Sequence, residues 1–304
     1  MRGRLLAGAG LGALLALSGA AAAEDRVQYF GSLEGSFLFS SIQDVQGSYT
    51  YDGSGEGGNY RDFGETDIGW GGRLQLGMKV DQWSFALGAL VQQSYGDDRT
   101  YDSDDDYFDF DNTATYWAID FDVGMEFGLG EGGLVRPFVG IRYAEVDFKQ
   151  DGFVLYNSGV ATATYELDTH AWGIGPRAGA SLHLPVGGGF SLDAEAAAFL
   201  LFGQLERNDT SNFPAGTGYN GPYNDESDET FFGAEAELGV SYSFSLSQHT
   251  EGFVTLGYRV DYVADAVQGE QTLYDSNLAD PLYRGGGEED YLTHGPFISF
   301  TFRN

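Results

Sequence analysis

Between Trp117 and Leu129 the chain alternates strictly. Trp117, Ile119, Phe121, Val123, Met125, Phe127 and Leu129 fall on one face of an extended segment, with Tyr116, Ala118, Asp120, Asp122, Gly124 and Glu126 on the other. A period of two held this long predicts a β-strand, because a helix would scatter the same residues around its circumference. The pattern recurs along the sequence. Ile68, Trp70, Leu74, Leu76, Met78 and Val80 oppose Arg73, Gln75 and Lys79, and Trp83, Phe85, Leu87, Ala89 and Val91 oppose small or polar partners. Val135, Pro137, Val139, Ile141 and Tyr143 oppose Arg136 and Arg142, and Leu192 to Leu200 oppose Asp193 and Glu195. Phe232 to Phe244 oppose Glu235 and Glu237, and Val254 to Tyr262 oppose Arg259 and Asp261. With flanking segments near 29–41, 165–184 and 291–302, ten strands are expected, with eight to twelve as the range. An even number suits a single-chain bacterial barrel.

The connections alternate as well. Asp44–Thr66, Gly96–Asn112, Gln150–Thr164, Arg207–Asp228 and Gln268–Asp290 are long and rich in acids, whereas Asp81-Gln82, Gly130–Gly133 and Gly187–Gly189 are short and Ser245–Glu251 is moderate. Outer-membrane barrels place short turns in the periplasm and long loops outside. A secreted β-sandwich or soluble barrel also alternates, but with its apolar face inward. Two features favour lipid. Runs of 13 residues or more exceed the soluble mode of about 5–6 and suit a tilted crossing with ~9–11 residues in the bilayer. Aromatics also bracket the apolar tracks: Trp70, Trp117, Trp172, Tyr143 and Tyr258 near the loop ends, and Trp83, Tyr242 and Phe244 near the turn ends. Two such girdles mark the bilayer interfaces of a transmembrane barrel. The fold expected is an all-β, up-and-down antiparallel transmembrane barrel.

The first residues read differently. Arg2 and Arg4 precede an apolar stretch from Leu5 to Leu17, and Ala21-Ala22-Ala23 fits a signal-peptidase site. Residues 1–23 are therefore expected to be a cleaved signal peptide and 24–304 a single barrel domain, exported through the inner membrane of a Gram-negative bacterium. Beyond this leader no apolar run approaches 18 residues, which excludes a helical inner-membrane protein. The formal charge of −31, or −33 once Arg2 and Arg4 are removed, excludes nucleic acid as a partner. Cysteine is absent, so the sheet must be stable without disulfides.

Chemistry is concentrated on the polar tracks. Arg73, Lys79, Asp120, Asp122, Glu126, Arg136, Arg142, Arg177, Asp193, Glu195, Glu235, Glu237, Arg259 and Asp261 must point inward, since a charge facing mid-bilayer lipid costs ~2–4 kcal/mol. As a set they are expected to line a pore, where rings of charge set ion selectivity. Taken singly, each is expected to be paired with an opposite charge across a narrow interior. Eight acids against six bases leave the lumen net negative by two, which predicts weak cation preference. The acidic segment Tyr101–Asp111 has hard ligands for Ca²⁺ but lacks the spacing, Gly and Glu of an EF-hand loop, so it reads as solvated external loop and no metal site is assigned. His170 and His294 are placed near the outer rim with Asp168 and Asp290 close in sequence, His183 low on its strand, and His249 in a turn. No motif links them to a nucleophile, so neither catalytic residues nor a cofactor is expected.

From Thr169 to Gln204 the chain reads THAWGIGPRAGASLHLPVGGGFSLDAEAAAFLLFGQ. This stretch resembles the Legionella-type major outer membrane protein family, in which a G-P-R-x-G strand (here Gly175, Pro176, Arg177 and Gly179) leads through a Gly turn (Gly187–Gly189) to a strand ending in L-L-x-G (Leu200, Leu201, Gly203). Ala118–Gly128, Val135–Phe148 and the ending His294–Phe302 are similar to other strands of that family. The resemblance implies a pore-forming outer-membrane protein without enzymatic activity or cofactor. Two departures stand out: Arg303-Asn304 follow the final aromatic, and without cysteine no inter-subunit disulfide carries over. The partners expected are outer-membrane lipid, lipopolysaccharide and small hydrophilic solutes or ions. A homo-oligomer is left open, and a non-conducting structural or adhesive barrel acting through its acidic loops is the alternative.

Overall fold

The computed structural model describes residues 27–42, 48–50, 57–59, 67–101, 107–155, 162–212, 221–268 and 288–304. The leader and its cleavage site lie outside these residues, as do the middle parts of the segments read as external loops. Ten long strands build the wall: β1 (Val27–Ile42), β2 (Ile68–Val80), β3 (Trp83–Tyr101), β4 (Tyr107–Met125, resumed as Phe127–Gly130), β5 (Gly133–Leu155), β6 (Thr162–Gly187), β7 (Phe190–Asn212), β8 (Gly221–Ser247), β9 (Thr250–Gln268) and β10 (Glu288–Arg303). Each pairs antiparallel with its neighbours in sequence. β1 pairs with both β2 (Val27↔Val80 to Phe39↔Ile68) and β10 (Phe30↔Arg303 to Ile42↔Tyr291), which closes the sheet. Closure removes the open edge, so the backbone ladder is satisfied within lipid. A short hairpin, Ser48–Thr50 with Gly57–Asn59, stands apart from the barrel sheet.

The alternation translates directly into facing. Ile119, Phe121, Val139, Ile141, Leu238, Leu256 and Ile298 are exposed on the outer wall, while their sequence neighbours face inward, buried or half-buried. Aromatic rings form belts at the two ends of this wall. Near the loops Trp117 contacts Tyr143 at 5.2 Å, Tyr143 stacks on Trp172 at 6.2 Å, and Tyr258 lies 5.9 Å from His294. Near the turns Phe190 meets Tyr242 at 5.1 Å, and Phe244 meets Phe300 at 6.2 Å.

The turns are as tight as their glycines predict. Asp81 and Glu131 take positive φ, and Gly187, Gly188 and Gly189 carry φ of 100°, 64° and 83°, a region that L side chains enter only with strain. The loop ends differ from expectation. β3 and β4 stay paired out to Tyr101↔Tyr107, β5 and β6 to Leu155↔Thr162, and β7 and β8 to Ser211↔Gly221. Three segments read as long loops are thus largely hairpin arms. β6 and β8 run to 26 and 27 residues, far more than the ~9–11 that cross lipid. Backbone hydrogen bonds carry the ladder on into water, where no apolar track is required to support it.

Candidate functional site: a charged layer across the barrel

All fourteen charged residues expected to face inward do so, and most meet at one level. Following β5, β6 and β7 from the turn end upward gives the same order of side chains. On β5 it runs Arg136, Arg142, then Ala144, Val146 and Phe148. On β6 it runs His183 and Ser181, Arg177, then Ala171 and Leu167. On β7 it runs Asp193, Glu195, then Phe199, Leu201 and Leu205. The interior therefore has three storeys: a polar cavity at the turn end, a charged layer above it, and an apolar core toward the loops.

The layer is a continuous chain of ion pairs. Arg259 holds Asp261 through two bonds, of 2.8 and 2.9 Å, and reaches Glu34 at 2.7 Å and Glu237 at 3.5 Å. Arg73 joins Glu237 (2.5 Å) to Glu195 (3.2 Å). Arg177 binds Asp122 and Glu235 and approaches Glu195 at 3.6 Å. Arg142 closes the series on Glu235 (2.8 Å) and, through a two-bond fork of 2.6 and 2.7 Å, on Asp120. At the other end Gln92 donates to Asp261 at 2.6 Å and accepts from Thr293 at 2.9 Å. Every one of the ten strands supplies a member. Planar guanidinium forks suit this crowding, since each presents five donors in a fixed geometry.

Burial here is nearly complete, with Arg142, Arg177 and Arg259 each only 1 % exposed. Arg142 also lies over the Phe199 ring at 4.4 Å and Arg177 over Phe138 at 4.7 Å, cation–π contacts that link the layer to apolar neighbours. Gly140 makes room for one pair. It sits in register between Asp122 and Arg177, and a Cβ there would come within 2.3 Å of Asp122 Oδ1.

Below the layer lies a cavity of about 250 Å³ whose lining includes Arg73, Glu195, Glu237, Arg136, His183 and Asp193. Lys79 pairs with Glu126 at its floor. Asp193 accepts from Ser241 and approaches His183 Nδ1 at 2.6 Å. Ser241 thus donates to the acid and not to the imidazole, so the three lack the hydroxyl-to-base link that activates a nucleophile. Above the layer, Phe148, Leu167, Leu205, Val267 and Tyr291 pack with at most 1 % exposure, interspersed with buried polar groups such as Gln150, which donates to Asn112 at 2.9 Å.

The histidines at the rim take partners other than the acids nearest them in sequence. His170 Nδ1 lies 2.7 Å from Asp147, while Asp168 accepts from Lys149 at 2.6 Å. His294 meets the Tyr258 hydroxyl at 2.5 Å, and Asp290 accepts from Tyr262. These groups sit outside the wall, beside the loop-side aromatic belt. Glu145, Asp147 and His170 bring three possible ligand atoms within 4.8 Å of one another there. Sequence reading missed Glu34, Gln92 and Thr293 in the layer. Glu34 was recoverable, because Leu33, Phe37 and Phe39 mark the outward positions of β1 and place it on the inward track.

Comparison with solved structures returns outer-membrane barrels at low identity. The outer membrane protease OmpT of Escherichia coli is 11 % identical, with 92 % of this chain and 96 % of that one covered at a TM-score of 0.37. The translocator domain of the autotransporter NalP from Neisseria meningitidis is 12 % identical over 97 % and 94 % of the two chains, with a TM-score of 0.36. The Pseudomonas putida toluene transporter TodX is 11 % identical over 92 % and 89 %, with a TM-score of 0.34. No curated protein matches. The family described as Legionella pneumophila major outer membrane protein precursor matches residues 21–304, nearly the whole chain, so this ten-stranded barrel belongs to that family and resides in the outer membrane.

Proposed function

We propose that the protein is a narrow pore of the outer membrane, passing small ions and hydrophilic solutes, and that the charged layer is its constriction. The observation that carries this reading is the ion-pair chain itself. Burying charges is expensive, and well-packed apolar residues would fill the same volume at equal or lower free energy. One storey higher the filling is mostly apolar, with a single arginine pair among the described residues, Arg207 on Asp209, buried near its top. A layer whose arginines each have two or more carboxylate partners can exchange partners in small steps, which offers a path for ions without exposing an unpaired charge. Four arginines face seven acids in the layer (Glu34, Asp120, Asp122, Glu195, Glu235, Glu237 and Asp261), an excess of three negative charges that favours cations. In this reading the apolar storey is the part that must move for ions to pass, and the inward residues serve in transport rather than catalysis.

The packed loop-side half favours a second reading, a non-conducting structural or adhesive barrel that acts through its projecting hairpins. Swelling of liposomes containing the refolded protein in iso-osmotic arabinose decides between the two. Swelling above that of protein-free liposomes supports a pore. An unchanged rate, with the barrel shown to be folded by its heat-sensitive gel mobility, supports the structural reading.

A further inference from the structure

The charges of the interior are segregated by height. The layer is rich in acids, whereas the cavity floor beneath it is not. There Lys79 is neutralised by Glu126, and Asp193 is held by His183, Ser191 and Ser241. Arg136 and Arg303 both line the cavity, and neither is ion-paired among the described residues. Arg136 donates only to hydroxyls, from Nε to Ser181 Oγ and from Nη1 to Ser84 Oγ, both at 3.3 Å. Five N–H donors less these two leave three that bond no described protein group, on a guanidinium that lies 5.2 Å from the Phe138 ring centroid and lines the cavity. Across the floor, Arg303 lies 5.8 Å from the centroid of Phe253, whose ring meets His183 edge-on at 6.2 Å. Phe30 and Phe297 add apolar surface to the same cavity.

A protein with net charge −31 thus keeps two cations without an ion-pair partner, among the described residues, at the floor of a pocket whose carboxylates are held by other groups: Glu126 by Lys79, Asp193 by His183, and Glu195, Glu237 and Glu34 by the arginines of the layer. We infer that this turn-side cavity binds a small organic monocarboxylate, its carboxylate taken by the Arg136 fork and its apolar body lying against Phe253. Guanidinium and carboxylate match in a two-bond fork, and charge-assisted bonds of this kind are roughly twice as strong as neutral ones. Glu34, Glu195 and Glu237 form the cavity roof, so the carboxylate is confined to the floor beside Arg136 and Arg303, on the face assigned to the periplasm, and does not pass up through the layer. The site lies inside the proposed pore, but binding there does not require conduction.

Calorimetric titration of the full refolded protein in detergent, with benzoate as the probe, tests the inference. Saturable binding is expected at about one benzoate per barrel, weakened tenfold or more by Arg136→Gln and less by Arg136→Lys, which keeps the charge but loses the fork. Lys149→Gln, on the outer wall, should bind as the parent does. Should Arg136→Gln fail to fold, Arg303→Gln is expected to weaken binding at least threefold. Absence of saturable benzoate binding by the parent overturns the site. Undiminished affinity in a folded Arg136→Gln, or in Arg303→Gln where that variant replaces it, does the same. Inorganic phosphate binding as tightly as benzoate overturns the organic-anion assignment. Conductance measured on the same preparations separates the two proposals: channel steps without benzoate binding remove only the site, and benzoate binding without steps removes only the pore.

Discussion

The two halves of the interior are built on the same strands by the same facing rule, yet one is solid and the other hollow. On the loop side Phe148, Leu167, Leu205 and Tyr291 fill the cross-section with essentially no exposure. On the turn side Ser181, Ser241, Thr255 and Ser299 leave a cavity of about 250 Å³. Residues only a few positions apart on one strand, such as Leu201 and Glu195 on β7, belong to opposite regimes. Facing and filling are therefore set independently: the period of two decides which side chains point inward, and their size and polarity decide whether the interior packs or stays hollow. The charged layer occupies the boundary between the two, where it borders a polar cavity below and close-packed apolar groups above.

Substitutions should affect the halves unequally. Phe148→Ala removes a large side chain from the packed half and should cost about 3–5 kcal/mol, whereas Phe253→Ala, beside the cavity, should cost less than half as much. Urea titration read by gel mobility checks this, and equal losses would erase the distinction. The outer wall belongs to neither half. Val123→Arg puts a charge into mid-bilayer lipid at about 2–4 kcal/mol, so its assembly yield should fall well below that of the inward neighbour variant Asp122→Asn. At the boundary, Glu235→Gln takes a carboxylate from both Arg142 and Arg177. Removing one partner of a buried pair costs about 3–5 kcal/mol when the other charge is stranded. Because Asp120 and Asp122 remain, a loss of about 1–3 kcal/mol is expected in the same urea titration.

The outward face was fully legible in the sequence, because lipid tolerates no charge and the apolar track of β4 is unbroken from Trp117 to Leu129. The inward set was legible as a class, but its pairings were not. Arg73 and Glu237 are 164 positions apart, and only closure of the barrel brings them within 2.5 Å. The division into storeys was present but hidden: the order Arg136, Arg142, Phe148 can be read on β5, yet its meaning depends on β6, β7 and β8 changing character at the same height. Loop ends were misplaced for a different reason. The arms Asp97↔Asp111 and Asn208↔Asn224 are paired strand without an apolar face, so periodicity carries no mark of them.

The smallest expected effect is also the most diagnostic of the layer. Ion preference should weaken as salt rises, because the Debye length falls from ~10 Å at 0.1 M to ~3 Å at 1 M. Single-channel recording of the refolded barrel in a planar bilayer, with a KCl gradient about 0.1 M on its dilute side, tests the central claim directly. The account predicts small discrete steps, a reversal potential on the cation-selective side, and a shift toward zero when Glu235 and Glu237 are both changed to Gln. Silence from demonstrably folded protein, or anion preference at 0.1 M, would contradict the claim that the charged layer is the constriction of a pore.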